Sequence, residues 1–240
     1  MNNDFRNKMI ELSSKINVDI TEEQIEKHFE YMNLLLEWNE KINLTAITAQ
    51  EDVVLKHFID SMTVLKYIEK DNRIIDVGTG AGFPGIPIAM MRRDAHVTLL
   101  DSLNKRINFL NEVCKQVDIE NTNTIHGRAE DMAHNKKMRE SYDIAASRAV
   151  SNLTTLVEYL LPFVKVGGKC ICMKGPDIEE ELNNAKFAIK ELGGEIEKVE
   201  NFLLPASDIE RNIIIIKKVR VTSNKYPRKA GMPAKQPLNL

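Results

Sequence analysis

Through the first 70 residues apolar positions recur every three or four residues; after that they gather into short dense runs separated by helical stretches. Thr21 followed by Gln24 has the form of a capping box, and Ile25, Phe29, Met32, Leu35, Leu36 and Ile42 then share one face, so the pattern predicts an amphipathic helix over 22–39. Val53, Val54, His57, Phe58, Ser61, Met62 and Leu65 form a second stripe, predicted to end near residues 70–72. Residues 1–72 therefore read as an N-terminal helical cap.

Five strand-like runs come next, at 73–77, 96–101, 122–126, 142–146 and 168–174. They alternate with helical periodicity over 85–93, 104–117, 152–164 and, more weakly, 130–140. Such alternation points to a parallel sheet wrapped by helices. After a helix at 177–192 and the turn Gly193-Gly194, the runs 195–204 and 212–219 are joined only by the segment 205–211, too short for a parallel crossover. They should pair antiparallel. The expected fold class is α/β, a seven-stranded, mostly parallel sheet with one antiparallel strand over residues 73–220 and a tail over 221–240, all one compact unit.

Composition narrows the class. With 240 residues, 43% hydrophobic and 28% charged, the chain suits a globular protein with one core. The densest apolar run, Ile213 to Ile216, is closed by Lys217 and Lys218, far short of a membrane span. No apolar segment lies behind the polar start, so no secretory signal is expected and the cytoplasm is the expected compartment. Cys114, Cys170 and Cys172 read as reduced core residues, the last two being i, i+2 neighbours on one strand face. Net charge is −2, but residues 217–240 hold seven Lys/Arg and no acid, which leaves 26 basic against 35 acidic residues before them. An acidic body with a basic tail suggests contact with a polyanion, or else a solvated terminus.

The segment from Asp76 to Gly85 concentrates the chemistry. Gly78, Gly80, Gly82 and Gly85 directly after a buried strand permit a tight turn and close approach of backbone to a ligand, and Phe83 could offer an aromatic face. Gly80 to Gly85 also fits a dinucleotide fingerprint, so a nicotinamide cofactor is one reading. Against it stand the carboxylate of Asp76 beside the place of a pyrophosphate, the lack of any Tyr with Lys four residues on, and the terminal antiparallel pair. S-adenosylmethionine suits the loop better, because its sulfonium and ammonium are cationic. Asp101, 19 residues after Gly82, could accept from both ribose hydroxyls, or could cap the next helix. At Gly127 to Asp131 a backbone amide and the Glu130 carboxylate could meet the adenine, or Glu130 could cap a helix. Arg148 lies just past the fourth strand, where it could hold the cofactor or the substrate, or be an ordinary surface arginine. His57 and Asp60 share a helical face; a structural contact is the preferred reading over contact with RNA. Neither a His pair at i, i+4 around a Glu nor a Cys-x-x-Cys occurs, so no metal site is expected.

Taken together, His57-Phe58-Ile59-Asp60-Ser61, the loop 76–85, Asp101 to Arg106, Arg128-Ala129-Glu130, Ser147-Arg148-Ala149, Lys174-Gly175 and Tyr226 to Gly231 resemble the bacterial small-subunit ribosomal RNA methyltransferase G family, also called glucose-inhibited division protein B. The resemblance implies a class I S-adenosylmethionine-dependent methyltransferase fold and methylation of guanine N7 in the 530-loop region of 16S rRNA. It also implies cofactor contacts at Gly78, Phe83, Ala129, Glu130 and Arg148, to which the loop reading adds Gly80 and Asp101. Guanine N7 has a free lone pair and no proton to lose, so no general base is required and Arg148 would act by positioning. The expected partner is 16S rRNA or a small-subunit particle, bound by a monomer through the tail with Arg128, Lys136, Lys137 and Arg139. Deletion of 221–240 is expected to weaken RNA binding and spare the cofactor.

Overall fold

Helix α1 (Asn3–Lys15) starts where the Asn2 side chain accepts the Phe5 amide at 2.8 Å, and it buries Phe5, Met9 and Leu12 at helical spacing. Helix α2 (Glu22–Ile42) opens with both halves of the expected capping box, Gln24 N–H to Thr21 Oγ1 at 3.2 Å and Thr21 N–H to Gln24 Oε1 at 2.9 Å. The computed structural model describes residues 1–148 and 150–238; Ala149 of the Ser-Arg-Ala motif and the last two tail residues lie outside them.

The second stripe becomes a broken helical run: α3 (Gln50–Val53), a π-helical segment (Val54–Ile59) and α4 (Asp60–Met62). It stops well before residue 70, because Thr63 Oγ1 donates back to Asp60 O at 2.6 Å and so competes with the continuing helix. A 3-10 turn (Leu65–Tyr67) leads to the sheet.

Strand β1 (Arg73–Val77) is followed by α5 (Gly85–Met91), β2 (His96–Asp101), α6 (Asn104–Gln116) and β3 (Thr122–His126). Then come α7 (Ala129–Met132), β4 (Tyr142–Arg148), α8 (Leu153–Leu160), β5 (Val164–Lys174), α9 (Glu179–Glu191), β6 (Gly194–Leu203), β7 (Glu210–Lys218) and α10 (Met232–Lys235). The helix expected over 130–140 shrinks to one turn, since the Asn135 side chain accepts the Lys137 amide at 2.9 Å and favours a turn.

The strand order is β3-β2-β1-β4-β5-β7-β6, parallel except for β7, which runs antiparallel to both neighbours. The expected seven strands and single reversal are what is found. Alternate residues go to opposite faces. Ile74, Ile144, Ile213 and Ile215 join the core under α1, α2, α5 and α6, while Ile75, Ala145, Ile214 and Ile216 join the core under α8 and α9. Cys114, Cys170 and Cys172 are free thiols, the last two buried. The order reverses between β2 and β4 on either side of β1, and this places a crevice at the carboxyl ends of β1 and β4.

After β7 the chain folds back over the α8–α9 face instead of extending away from it. Lys218 is fully buried, donating to Leu161 O and Thr222 Oγ1 at 2.6 Å each and pairing with Glu140 at 3.0 Å. Arg139 spends its guanidinium on the carbonyls of Tyr226 at 2.9 Å, Thr222 at 2.8 Å and Ser223 at 3.1 Å. This corrects two sequence expectations. Arg139 is a tether for the C-terminal segment, not a free cation for phosphate, and the segment itself is docked. An arginine meets the demand of unpaired carbonyls as readily as that of a phosphate, and sequence alone does not separate the two.

Candidate functional site

The glycine loop is held by the aspartate beneath it. Asp76 Oδ2 accepts from Thr79 Oγ1 at 2.7 Å and from Gly85 N–H at 2.8 Å, which cinches the start of α5 to the end of β1. Its side chain is fully buried and its Oδ1 has no partner among the described residues. Burial pushes the carboxyl up to about 6. The expectation that Asp76 faces a ligand is therefore corrected; it organises the loop from inside. Gly78, Gly80 and Gly82 all have positive φ, 71°, 63° and 104°, a region costly for other residues.

Gly80 N–H donates to Asp101 Oδ2 at 2.9 Å, and Leu103 N–H donates to Asp101 Oδ1 at 2.9 Å. Asp101 thus ties the loop to the turn before α6 without serving as that helix's N-cap, a place taken by Leu103. Arg106 Nη1 completes its shell at 3.2 Å. Gly78, Asp101, Ala129 and Glu130 line one cavity of about 310 Å³, together with Arg128, Val150, Tyr159, Gly231 and Ala234. That volume lies at the small end of the range for small-molecule pockets. Four of the seven cofactor residues expected from sequence therefore share one wall, with Gly80 bonded to it through Asp101.

Phe83 and Arg148 sit elsewhere. Phe83 is only 4% exposed and its ring stacks on His57 with centroids 4.4 Å apart and planes at 13°. The Arg148 guanidinium carbon stands 4.9 Å from the same ring. The open aromatic face expected for Phe83 is thus occupied by protein groups. Arg148 is largely enclosed, with 15% of its side chain exposed, so it is no ordinary surface arginine. Its Nη1 donates to Lys56 O at 2.9 Å and to Asp60 Oδ2 at 3.1 Å, and its Nη2 donates to His57 Nδ1 at 3.0 Å. Burial pulls the guanidinium below its ordinary value while Asp60 pulls it back up. Arg148, Lys56, Asp60, Lys174 and Arg211 line a second cavity, on the side of the loop facing the cap. His57 and Asp60, for which a structural contact was preferred, are bound to Arg148 in this way.

Several lining residues escaped the sequence reading: Val150, Tyr159, Gly231, Ala234 and, in the second cavity, Arg211. One signal was available. Glu158 is the only acid in the apolar stretch of α8, and a carboxylate at a helix position facing the core requires a cation from elsewhere in the chain. That cation is Arg228 of the C-terminal segment, whose Nη2 reaches Glu158 Oε2 at 2.7 Å.

With the site in place, comparison with known proteins becomes decisive. The family model described as rRNA small subunit methyltransferase G matches residues 24–214. The chain belongs to the rRNA small subunit methyltransferase G family. The protein named ribosomal RNA small subunit methyltransferase G in Alkaliphilus oremlandii is 52% identical over 225 residues, covering 93% of this chain and 94% of the relative. The protein of the same name in Acetivibrio thermocellus is 52% identical over 235 residues, covering 98% and 97%. Among solved structures, M. jannaschii TYW2 in complex with AdoMet is similar at a TM-score of 0.53 and 15% identity, over 68% of this chain and 76% of that one. This last likeness concerns the fold, which is that of the class I S-adenosylmethionine-dependent methyltransferases.

The first cavity fits such a cofactor. A Cβ placed on Gly78 would fall 2.7 Å from Val150 Cγ2, so only bare backbone leaves the crevice open there. Asp101 and Glu130 put carboxylate acceptors on the same wall, a set suited to hydroxyl and amino groups. In this member of the methyltransferase G family the loop backbone, Asp101 and Glu130 are thus the groups that could hold an adenosine.

Proposed function

We infer that this protein transfers a methyl group from S-adenosylmethionine to N7 of a guanine in the 530-loop region of 16S ribosomal RNA. The observation that carries this reading is the cavity at the carboxyl ends of β1 and β2, walled by Gly78, Asp101, Ala129 and Glu130, in a chain that belongs to the methyltransferase G family throughout its core.

When bound, the cofactor supplies an electrophilic methyl on a sulfonium. Gly78 and Gly80 would bring main chain against it, Asp101 would accept from the ribose hydroxyls, and Ala129 and Glu130 would meet the adenine. Because guanine N7 presents an in-plane lone pair and carries no proton, the chain's remaining task is to place that lone pair in line and keep water away. Arg148 sits beside the loop among Lys56, Lys174 and Arg211. There it would position the guanine through O6 and N7 or steady the loop through Phe83. His57, Asp60 and Phe83 hold Arg148 in place, so the assignment of Phe83 becomes one of packing between the cap and the glycine loop rather than stacking on the cofactor.

The substrate in this reading is 16S rRNA, free or within a small-subunit particle, met by a monomer in the cytoplasm. The test is transfer of labelled methyl from S-adenosylmethionine to 16S rRNA isolated from a strain lacking the enzyme, followed by mass spectrometry of nucleosides. Label in N7-methylguanine is the expected result. Label in another nucleoside would overturn the base assignment, and no label in rRNA free or assembled would overturn the activity.

A further inference from the structure

The match to the family model ends at residue 214, yet the cofactor cavity takes part of its wall from the C-terminal segment beyond that point. Gly231 and Ala234 line it together with Gly78 of the glycine loop. Gly231 N–H donates to Glu130 Oε1 at 2.8 Å, and among the described residues Oε2 of the same carboxylate accepts from no protein group. One oxygen is thereby fixed by the C-terminal segment, and the other is left for a ligand.

The segment is pinned at both ends of this contact. Arg228 puts its backbone N–H at 2.8 Å and its Nε at 3.0 Å on Glu158 Oε1, with Nη2 at 2.7 Å on Oε2. Glu158 is fully buried, and Arg228 is its ion-pair partner among the described residues. A buried carboxylate tolerates no vacancy opposite it, so this pair fixes where the chain runs. His134 Nε2 bonds Pro227 O at 2.8 Å, and Thr155 Oγ1 donates to Pro233 O at 3.2 Å. Each anchor comes from the element that also borders the cavity, α8 or the stretch after β3.

We propose that residues 226–235 form the adenosine-side wall of the methyl-donor pocket, with Arg228 as a positioning residue that, through Glu158, sets Gly231 against Glu130 and so orients the carboxylate for the cofactor. The proposal rests on the methyl-donor reading of that cavity. In it the basic character of this stretch serves the protein's own interior at Arg228 and solvent or RNA at Lys229 and Lys235, which are exposed.

The test uses the full chain and S-adenosylhomocysteine as probe, with affinity from calorimetry and dissociation rate from displacement by S-adenosylmethionine. Arg228→Ala is expected to weaken binding about tenfold or more, chiefly through faster dissociation, the scale expected on removal of an orienting charge-assisted hydrogen bond. Arg228→Lys should recover part of the affinity. KM for the methyl donor should rise while kcat at saturating donor stays within about twofold, a split that marks the removal of binding common to ground and transition states. Gly231→Ala places a Cβ in open space but at φ 83°, so it strains the segment without a clash and should weaken binding less. Lys229→Ala, on an exposed side chain, should leave the affinity as it is. If Arg228→Ala does not fold, Gly231→Ala decides alone. Wild-type affinity and dissociation rate in the folded variants would overturn the proposal by itself, whereas a wild-type protein that bound no S-adenosylhomocysteine would overturn the methyl-donor reading and this proposal with it.

Discussion

Arg148 donates through Nη2 to Nδ1 of His57 at 3.0 Å, and since a guanidinium can only donate, that ring nitrogen must accept. The imidazole is therefore neutral, with its proton on Nε2 and directed to Thr45 Oγ1 at 2.9 Å. Burial and the adjacent Arg148 charge push His57 down to about 3. Through this pair the end of β4 is fastened to the helical cap, and Phe83 is packed between the cap and the glycine loop.

Acid should loosen that fastening. His57 and the fully buried His28, pushed down to about 4 by burial, bind a proton more weakly in the folded chain than at their ordinary 6.5. Their contribution is complete above pH 6.5 and fades as pH falls towards their folded values. Asp76, raised to about 6, acts in the opposite sense, favouring the folded state as pH falls from 6 towards 4. Two groups oppose one, so between pH 7 and pH 5 the net decrease in stability should be about 2 kcal/mol. Urea denaturation at the two values measures it; an equal midpoint at both would contradict the assignment of His57 as a buried neutral imidazole.

The role of Asp76 as an internal clasp is separable from its charge. Asp76→Asn retains an acceptor for Thr79 Oγ1 and Gly85 N–H, and should melt at or above the wild-type temperature at pH 7. Asp76→Ala leaves both donors unpaired and should lose about 2–4 kcal/mol. Equal destabilisation by the two substitutions would show that the charge itself is required.

Close packing around the loop predicts a severe effect from one methyl group. A Cβ on Gly85 would lie 2.3 Å from Leu99 Cδ2 and 2.8 Å from Asp76 Oδ2. Gly85→Ala should cost about 1–3 kcal/mol in stability and weaken S-adenosylhomocysteine binding, because the loop must shift to relieve the overlap. Calorimetry and thermal melting read the two effects; wild-type values in both would mean that the start of α5 yields freely.

The docked C-terminal segment reverses the expectation that its deletion would spare the cofactor. Removing 221–240 should lower both the melting temperature and the affinity for S-adenosylhomocysteine, since it strands buried Glu158 and opens the cavity wall. A truncated chain with intact melting and affinity would restore the picture of a dispensable tail.

In the proposed function, any RNA contact by the same segment is left to the cations that the fold does not use. Lys229 and Lys235 are exposed and form no ion pair among the described residues. The double substitution Lys229→Ala with Lys235→Ala should weaken binding to rRNA and lower the slope of log affinity against log salt by about 0.7 for each single-strand phosphate no longer neutralised. Cofactor affinity should stay as it is. An unaltered salt slope would remove both lysines from the interface.

The order of strands and helices was legible because β-branched runs and helical stripes have different periods, and the short linker 205–211 left no alternative to an antiparallel return. The capping box at Thr21 and Gln24 fixed the start of α2 through local bonds alone. Helix lengths were less legible. Thr63 and Asn135 end helices by bonding to nearby backbone, an effect that apolar periodicity does not register. Within the site, Gly78, Asp101, Ala129 and Glu130 were readable because each stands at the end of a strand or just past it, where the topology of a parallel sheet gathers residues. Arg139, Arg228 and Gly231 were not, since a basic residue in a polar stretch looks the same whether it faces phosphate or a carbonyl.

The amino-acid sequence by itself determined the layers of this protein, the place of its glycine turn and the family to which it belongs, because those come from periodicity and from motifs whose spacing is local. Only the tertiary structure decided which charges are spent inside the molecule. Glu158 and Arg228 are separated by most of the last third of the chain, and Arg148 and Asp60 by the whole β1–β4 unit. Whether such groups meet each other or meet a ligand depends on burial and direction, quantities that exist only once the chain has closed on itself.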